Sequence, residues 1–591
     1  MRRVHLAALA VSLVFLLLAG TASAAATWLS PVDLSVQGRD AWNPQVALGP
    51  AGDATVIWYS AVDSPNPVIQ EASHTAGGSW TWTAAETLSG DTAYGAQVAL
   101  DPAGNALAVW ERFDNSSTSF LVQASARPAG GAWGAPQNLS APGHDANNPQ
   151  VALDAAGNAI VVWQRWNGAT MVVQGAVRPF GGAWQAAQDL SSGYATDPQV
   201  ALDPAGDAVA VWQYFNGSNT IVQAVTRPAG GAWSTPQDIS AAGQSVSFPQ
   251  VAVDAAGNAI AVWARSNGSN TIVQAAARPV EGAWGSPQDL SAPGQNADLP
   301  EVAVSPAGDA VAVWQRSDGA NTIVQAAVRA ADGGWGTAQD LSAAGQNSDF
   351  PQVAVDPAGN SVAVWTSYEN GTEVVQAATR PAGSAWGAPQ TLSAFGWPAF
   401  HAQVAVDPAG NALAVWYRYN GLNMIIQAAA LDAVGPIFDD LTIPATGTAG
   451  KPLAFSVSPF DAWSQLFGSP HWDFGDGTTS EASTLTYAYH AQGSYTVTLS
   501  QSDAVGNQSS VSRTVTIAPA PIQCVVPKVV GKTLAKAKAA IKRRHCRTGR
   551  VARAFSKKVR SGRVLAQRPK AGKHLPKGAR VNLVISRGKR R

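Results

Sequence analysis

The sequence predicts a mainly β protein whose largest part is an eight-bladed β-propeller, and three observations carry that prediction. Between Trp28 and Ala430 one phrase recurs eight times, ending in Trp58, Trp110, Trp163, Trp212, Trp263, Trp314, Trp365 and Trp416 at steps of 49 to 53 residues. A period of that size marks stacked small units, none of which buries its apolar face alone. Each unit holds four short apolar runs parted by turn residues, too short and too rich in Val, Gly and Pro for helices. A second phrase, Trp-x5-Leu/Ile-Ser, starts at Trp28, Trp82, Trp133, Trp184, Trp233, Trp284, Trp335 and Trp386, so its first copy precedes the first hairpin. That copy can complete the last sheet, closing a ring over residues 26–433 and removing an exposed sheet edge. Seven blades with one irregular unit, or an open solenoid, are the other arrangements that fit.

Taken in order, the chain opens with Arg2 and Arg3, an apolar run from about Leu6 to Ala19, and Thr21-Ala22-Ser23-Ala24. Charged, apolar and small-residue segments in that order predict a signal peptide over residues 1–24 and a secreted or cell-surface protein. No later stretch has the length of a membrane span. Within a repeat, Pro351–Asp356 predicts the first strand, Pro357-Ala358-Gly359-Asn360 a turn, and Ser361–Trp365 the second strand. Runs such as Thr271–Ala276 and Trp284–Ser291 supply the third and fourth. Val and Leu alternate with Ala rather than with charged residues, so both faces of each sheet are expected to be covered. The closure resembles that of WD-repeat propellers. Asp-x-Ala-Gly-Asn before Ala-x-x-Val-Trp is similar to the Asp-box of sialidase-type propellers, without its leading Ser and with a longer spacing to Trp. That likeness implies a turn staple and no catalysis.

The loops after the second strand and between blades should share one face. Two residues beyond the repeated Trp stand Arg112, Arg165, Arg265, Arg316 and Arg418, with Trp166, Tyr214 and Tyr368 among the nearby aromatics. Arg forks and aromatic faces suit sugar rings and anionic groups, which makes these eight residues the candidate ligand-binding set. An Arg repeated in five of the eight units also suits a structural role, as partner of backbone carbonyls or a neighbouring Asp. Few unit-specific acids stand out beside Glu111, Asp114, Glu369 and Glu373, and the eight His residues show no metal-ligand spacing. No catalytic, metal-binding or phosphate-loop motif is present, so neither catalytic residue, metal nor cofactor is expected.

The repeat ends after Ala430. Trp472-Asp473-Phe474-Gly475-Asp476-Gly477, Tyr487, His490 and Gly493–Leu499 follow, with Asp503-Ala504-Val505-Gly506-Asn507 and Thr514–Ile517 behind them. Residues 434–518 resemble a PKD domain, which implies an immunoglobulin-like β-sandwich with Trp472 as core anchor. Asp473 and Asp476 are read as turn residues rather than calcium ligands. Residues 519–523, Pro-rich, form a linker. Val526–Gly531, the helix signal Thr533-Leu534 with Ala537 and Ile541 on one face, Val564–Gly572 and Gly578–Ser586 are similar to a PASTA domain over 524–591. The resemblance implies one helix on a three-stranded sheet, a small α+β fold, and recognition of peptidoglycan fragments. Cys524 and Cys546, the two cysteines of the chain, read as a disulfide in an oxidising compartment, or else as two reduced buried thiols.

The formal net charge of zero conceals an asymmetry. Residues 524–591 hold 23 Lys and Arg and no Asp or Glu, whereas residues 1–523 hold 16 basic and all 39 acidic groups. A basic module of this strength favours anionic partners: peptidoglycan, a wall polymer or acidic polysaccharide before nucleic acid. The expectation is an exported, non-enzymatic cell-envelope binding protein, its ring engaging a glycan or a protein. The ground for that expectation is the absence of a converging acid, base and nucleophile, and the close likeness of the repeats adds to it. The alternative is a carbohydrate-active propeller enzyme, a sialidase-like glycosidase or a polysaccharide lyase.

Overall fold

Alternating Val and Ala in every second strand leaves no polar face for solvent, and the strands stack accordingly. The computed structural model describes residues 27–61, 66–77, 80–90, 92–331 and 333–590. The expected signal peptide lies outside the described residues. Among the described residues two compact units are distinguished: residues 27–437 with 460–468 and 501–509, and residues 438–459, 469–500 and 510–590.

In the first unit, eight antiparallel sheets follow one another among the described residues, seven of them with their strands in sequence order from the inside outward. Inner strands pack on the inner strands of both neighbours, and the last, Ala399–Val406, packs on the first, Asp40–Leu48, so the ring is closed. Thr27–Trp28 and Val32–Asp33 pair with Met424–Asp432 and supply the outer edge of the last sheet. Gln427 donates to Asp33 Oδ1 at 2.7 Å, and Ile426 N–H donates to Ser35 Oγ at 2.9 Å, fixing that register.

The repeated Trp residues are fully buried between sheets. Trp263 Nε1 donates to Gln274 Oε1 at 3.2 Å, and Gln274 Nε2 donates to Asp289 Oδ1 at 2.6 Å. A Trp–Gln–Asp relay of this kind spans the second, third and fourth strands and satisfies an indole that packing removes from water. The outer strands are shorter than expected. Only two residues pair, as in Gln137–Asn138, and the Trp that begins the phrase folds back instead: Arg127 lies 5.1 Å from the Trp133 ring centre. The Leu-Ser that ends the phrase is explained by Ser140 Oγ, which accepts Val122 N–H at 3.0 Å.

The Asp-x-Ala-Gly-Asn turn is a staple. Asp101 Oδ1 accepts the N–H groups of Ala103 and Asn105, both at 2.9 Å, and Asn105 Nδ2 donates to Asp101 Oδ2 at 2.7 Å. Gly104 sits at φ +84°, which the turn requires and a Cβ would resist.

The sandwich has a three-stranded sheet with Ile437–Thr442, Leu453–Phe460 and Thr484–Tyr487, and a five-stranded sheet that includes Gly493–Asp503 and Gln508–Ala518. Trp472 is fully buried in its core with Phe455, Phe474 and Tyr489, and its Nε1 donates to Ala482 O at 2.9 Å. Asp473 Oδ1 accepts Gly475 N–H at 2.8 Å and Asp476 Oδ2 accepts the Tyr487 hydroxyl at 2.6 Å, so both carboxylates serve the turn.

In the basic module, helix α1 (Leu534–Arg543) lies with a three-stranded sheet of Arg547–Ala554, Arg580–Ser586 and Val564–Arg568. Ala537, Ala540 and Ile541 are buried, as the helical spacing requires. Thr533 occupies the N-cap with extended backbone, but its side chain makes no capping hydrogen bond. Cys524 and Cys546 form a disulfide with an S–S distance of 2.06 Å, and the reduced-thiol alternative falls away.

Candidate functional site at the mouth of the ring channel

Every inner strand carries an irregularity that the sequence pattern does not announce. Its pairing with the second strand shifts by one step, as between Thr196 and Gln199, and one residue there adopts positive φ. Around the ring these residues are Asn43, Gly95, Asn148, Asp197, Phe248, Leu299, Phe350 and His401. Asn and Asp tolerate that conformation through their short polar side chains, whereas Phe and Leu carry strain of about 1–3 kcal/mol. Bulges re-aim side chains. Here a position that varies from unit to unit lines a cavity, as Asn148, Asp197, Phe248 and Leu299 do.

Two residues along, the ring carries Gln45, Gln97, Gln150, Gln199, Gln250, Glu301, Gln352 and Gln403. Gln250 and Gln352, one repeat to either side, each donate Nε2 to Glu301 Oε1 at 3.1 Å, which places this row around the channel. Glu301 is the one acid in the row. Burial in the narrow channel pushes it up to about 8, opposed by the Gln352 amide, so it holds its proton at neutral pH.

A cavity of about 280 Å³ opens at this mouth, lined among others by Asn148, Asp197, Gln199, Phe248, Leu299 and Glu301. Burial raises the Asp197 carboxyl as well, opposed by the Asn148 amide. Gln213 donates to the Asp197 carboxylate and fixes its orientation. Two carboxyl groups therefore face one cavity beside an apolar wall of Phe248 and Leu299. Such an arrangement can deliver and accept a proton.

The opposite arc is aromatic. Phe350 and His401 lie 4.3 Å apart between ring centres, His401 and Tyr417 5.6 Å, Trp42 and Tyr59 5.4 Å, and Tyr59 and Tyr94 5.7 Å. Burial lowers the His401 pKa from its ordinary value.

None of the eight residues proposed from sequence lines this cavity. Being two residues beyond the buried Trp, the Arg row shares its face and lies between sheets. Arg265 Nη2 is 3.7 Å from Asp289 Oδ1 on the outer strand of its own sheet, and Arg112 Nη1 is 3.9 Å from Asp114 Oδ1. Arg165, Arg316 and Arg418 hold the equivalent strand positions, paired with Ala146, Ala297 and Ala399. Tyr214 takes the Arg position in its sheet and packs over Gly193, while Trp166 and Tyr368 are exposed at the ends of second strands. Glu111 turns inward as a cap: its Oε1 accepts Asn148 N–H at 2.8 Å, beneath Gly95, where no side chain competes for the space.

Sequence reasoning missed Asp197 and Glu301. Their signal was present in the chain: a lone Glu in a row of Gln, and a position reading Asn, Gly, Asn, Asp, Phe, Leu, Phe, His from unit to unit. Conversely, three acids far apart in sequence, Asp432, Asp461 and Asp503, meet in the first unit with carboxylate oxygens within 4.8 Å of one another. All are buried, and burial together with its two neighbours raises Asp432 to about 7. This hard-oxygen trio could hold a divalent cation, although no metal ligands are expected from sequence spacing.

Comparison with known proteins gives the following. The family model of the PKD domain matches residues 433–518, and that of the PASTA domain residues 525–587. A microbial collagenase of Vibrio alginolyticus is 34% identical over 77 residues, 13% of this chain and 10% of the collagenase. The chain thus spans about a tenth of that relative's length. Among solved structures, an ulvan lyase, a polysaccharide lyase, is similar at 10% identity and TM-score 0.40, over 56% of this chain and 90% of the lyase. An α-L-arabinanase of Penicillium chrysogenum is similar at 14% identity and TM-score 0.32, over 49% of this chain and 94% of the arabinanase.

The expectation of a non-enzymatic binding ring is corrected on the geometry: acids that differ from unit to unit, Asp197 and Glu301, line one cavity, so the repeats are not too alike to hold a site. No helix of the described residues is long and apolar enough to cross a membrane. The disulfide and the two C-terminal domains are those of an extracytoplasmic protein. Behind a propeller-like ring of repeated sheets, this chain carries a PKD domain and a PASTA domain.

Proposed function

We propose that the ring is a carbohydrate-active enzyme that cleaves polysaccharide in the cavity at the channel mouth. One observation carries the reading: Asp197 and Glu301 line the same cavity, where burial raises both carboxyl groups. Glu301 would give its proton to the departing glycosidic oxygen. Asp197 would take one, from water in hydrolysis or from the sugar carbon in elimination. Phe248 and Leu299 keep water from the proton donor and sustain its high pKa. The aromatic arc offers ring faces for pyranose stacking, and Trp166 and Tyr368 would extend that surface outside the cavity. The Arg row contributes by holding the sheets that carry the site.

The PASTA domain supports retention near peptidoglycan, and the N-terminal sequence supports export through a cleaved signal. The same reading keeps the ring at residues 26–433, with a short linker at 519–523.

The test is turnover on a panel of neutral and uronate-containing polysaccharides. Reducing ends report hydrolysis, and absorbance of an unsaturated uronate reports elimination. Glu301→Gln and Asp197→Asn should each lower turnover by about 10²–10⁴-fold, the usual worth of a positioned acid or base. Full activity in both variants, or binding without product across the panel, would overturn the reading.

A further inference from the structure

We infer that an open cleft in the PASTA domain is the docking site of a soluble phosphate polymer chain, recognised by charge. The cleft, of about 730 Å³, is lined by Lys538 and Lys542 of α1, His545 and Cys546, Arg547, and Lys577. Lys538, Lys542, His545, Arg547 and Lys577 are all exposed. Lys538 and Lys542 stand one helical turn apart on the same face of α1, an unfavourable like-charge pairing in isolation. No residue from 524 to 591 is Asp or Glu, so nothing within the domain neutralises them. An anion in the cleft offsets that repulsion.

The cleft is also held in shape. Cys546 at its floor is tied to Cys524, Cys546 N–H donates to Ile541 O at 3.1 Å, and Gly578 N–H donates to His545 O at 2.7 Å. The helix end, the strand start and the Lys577 turn are therefore fixed relative to one another, and little ordering is required on binding.

The lining discriminates among polyanions. Three of its four permanent cations are Lys, compact point charges that bind phosphate oxygens, and the fourth, Arg547, adds a fork that matches phosphate geometry as well. Apart from His545 it offers no aromatic ring, so it lacks the stacking platform on which single-stranded nucleic acid binds. Cations on three sides of one cleft suit successive charges of a chain better than a single anion. This inference stands on the last domain alone and is independent of the ring's chemistry.

The experiment is binding of the full-length protein to fluorescent long-chain polyphosphate across a salt series. Inorganic phosphate, heparin, a soluble polyuronate and single-stranded DNA serve as competitors. Binding should weaken steeply as salt rises. The triple variant Lys538→Gln, Lys542→Gln, Lys577→Gln should bind at least tenfold more weakly, while Lys557→Gln, Lys558→Gln, Lys570→Gln, equal in charge but outside the cleft, should lose less than threefold. Melting of each variant controls for folding, and Lys577→Gln alone, on a turn, gives a milder second measure. Equal loss in the two triples, salt-independent binding, or tighter binding of DNA, heparin or polyuronate than of polyphosphate would each overturn the proposal.

Discussion

Glu301 shows how one side chain acquires chemistry from its neighbours. Seven of the eight equivalent positions are Gln, whose amides are neutral at every pH, and two of them donate to the Glu301 carboxyl. Burial pushes the Glu301 carboxyl up to about 8. An unfolded Glu titrates near its ordinary value of about 4.3. Between these limits the folded state binds a proton that the unfolded state lacks, so stability falls as pH rises through that window and is flat below it. Glu301→Gln should remove this slope and raise the melting temperature at pH 8 but not at pH 4; a melting profile across pH with an unchanged slope would refute the assignment. Asp197 differs from Glu301 in origin, because it stands on the positive-φ bulge and its direction depends on a backbone irregularity.

The sheet is the element that repeats, and its internal relay accounts for residues with no evident purpose in the sequence. The Gln of Val-Gln-Ala looks like a polar interruption of a strand, but Gln274 bridges Trp263 to Asp289. Gln274→Ala should cost about 1–3 kcal/mol, because it leaves a buried indole N–H without an acceptor; chemical denaturation measures it, and no change would mean the relay is dispensable. The strand from the N-terminus has a larger effect. Deleting residues 28–35 removes buried Leu34 and Ser35 and exposes the edge of Met424–Asp432. A loss of about 5 kcal/mol or more is expected from the buried side chains and the freed edge, read as a lower melting temperature and greater self-association. Unaltered melting would show that the ring does not depend on this closure.

At the scale of the whole molecule, opposite charges are segregated along the chain, with 23 basic groups in the last 68 residues. The ring offers an acidic cavity and an aromatic arc, while the PASTA domain offers cations and hardly any aromatic surface in its cleft. The two regions therefore suit different ligands, so the polysaccharide proposed for the ring need not be the polymer proposed for the PASTA domain.

What the sequence determined by itself is whatever repeats or alternates. Trp spacing, Val–Ala alternation and the displaced first Trp phrase specified stacked sheets and ring closure, because burial of both faces and removal of an edge follow from pattern alone. Charge, the two cysteines and the PKD and PASTA motifs were equally legible. The cavity at the inner strands was not. Counting residues from the repeated Trp directed attention to the Arg row, which period-two geometry sends between the sheets with that Trp. Only the closed ring brings Asp197 and Glu301, two repeats apart, to one cavity, and only there does burial give Glu301 its proton. Both effects arise from three-dimensional enclosure, which a local pattern does not contain.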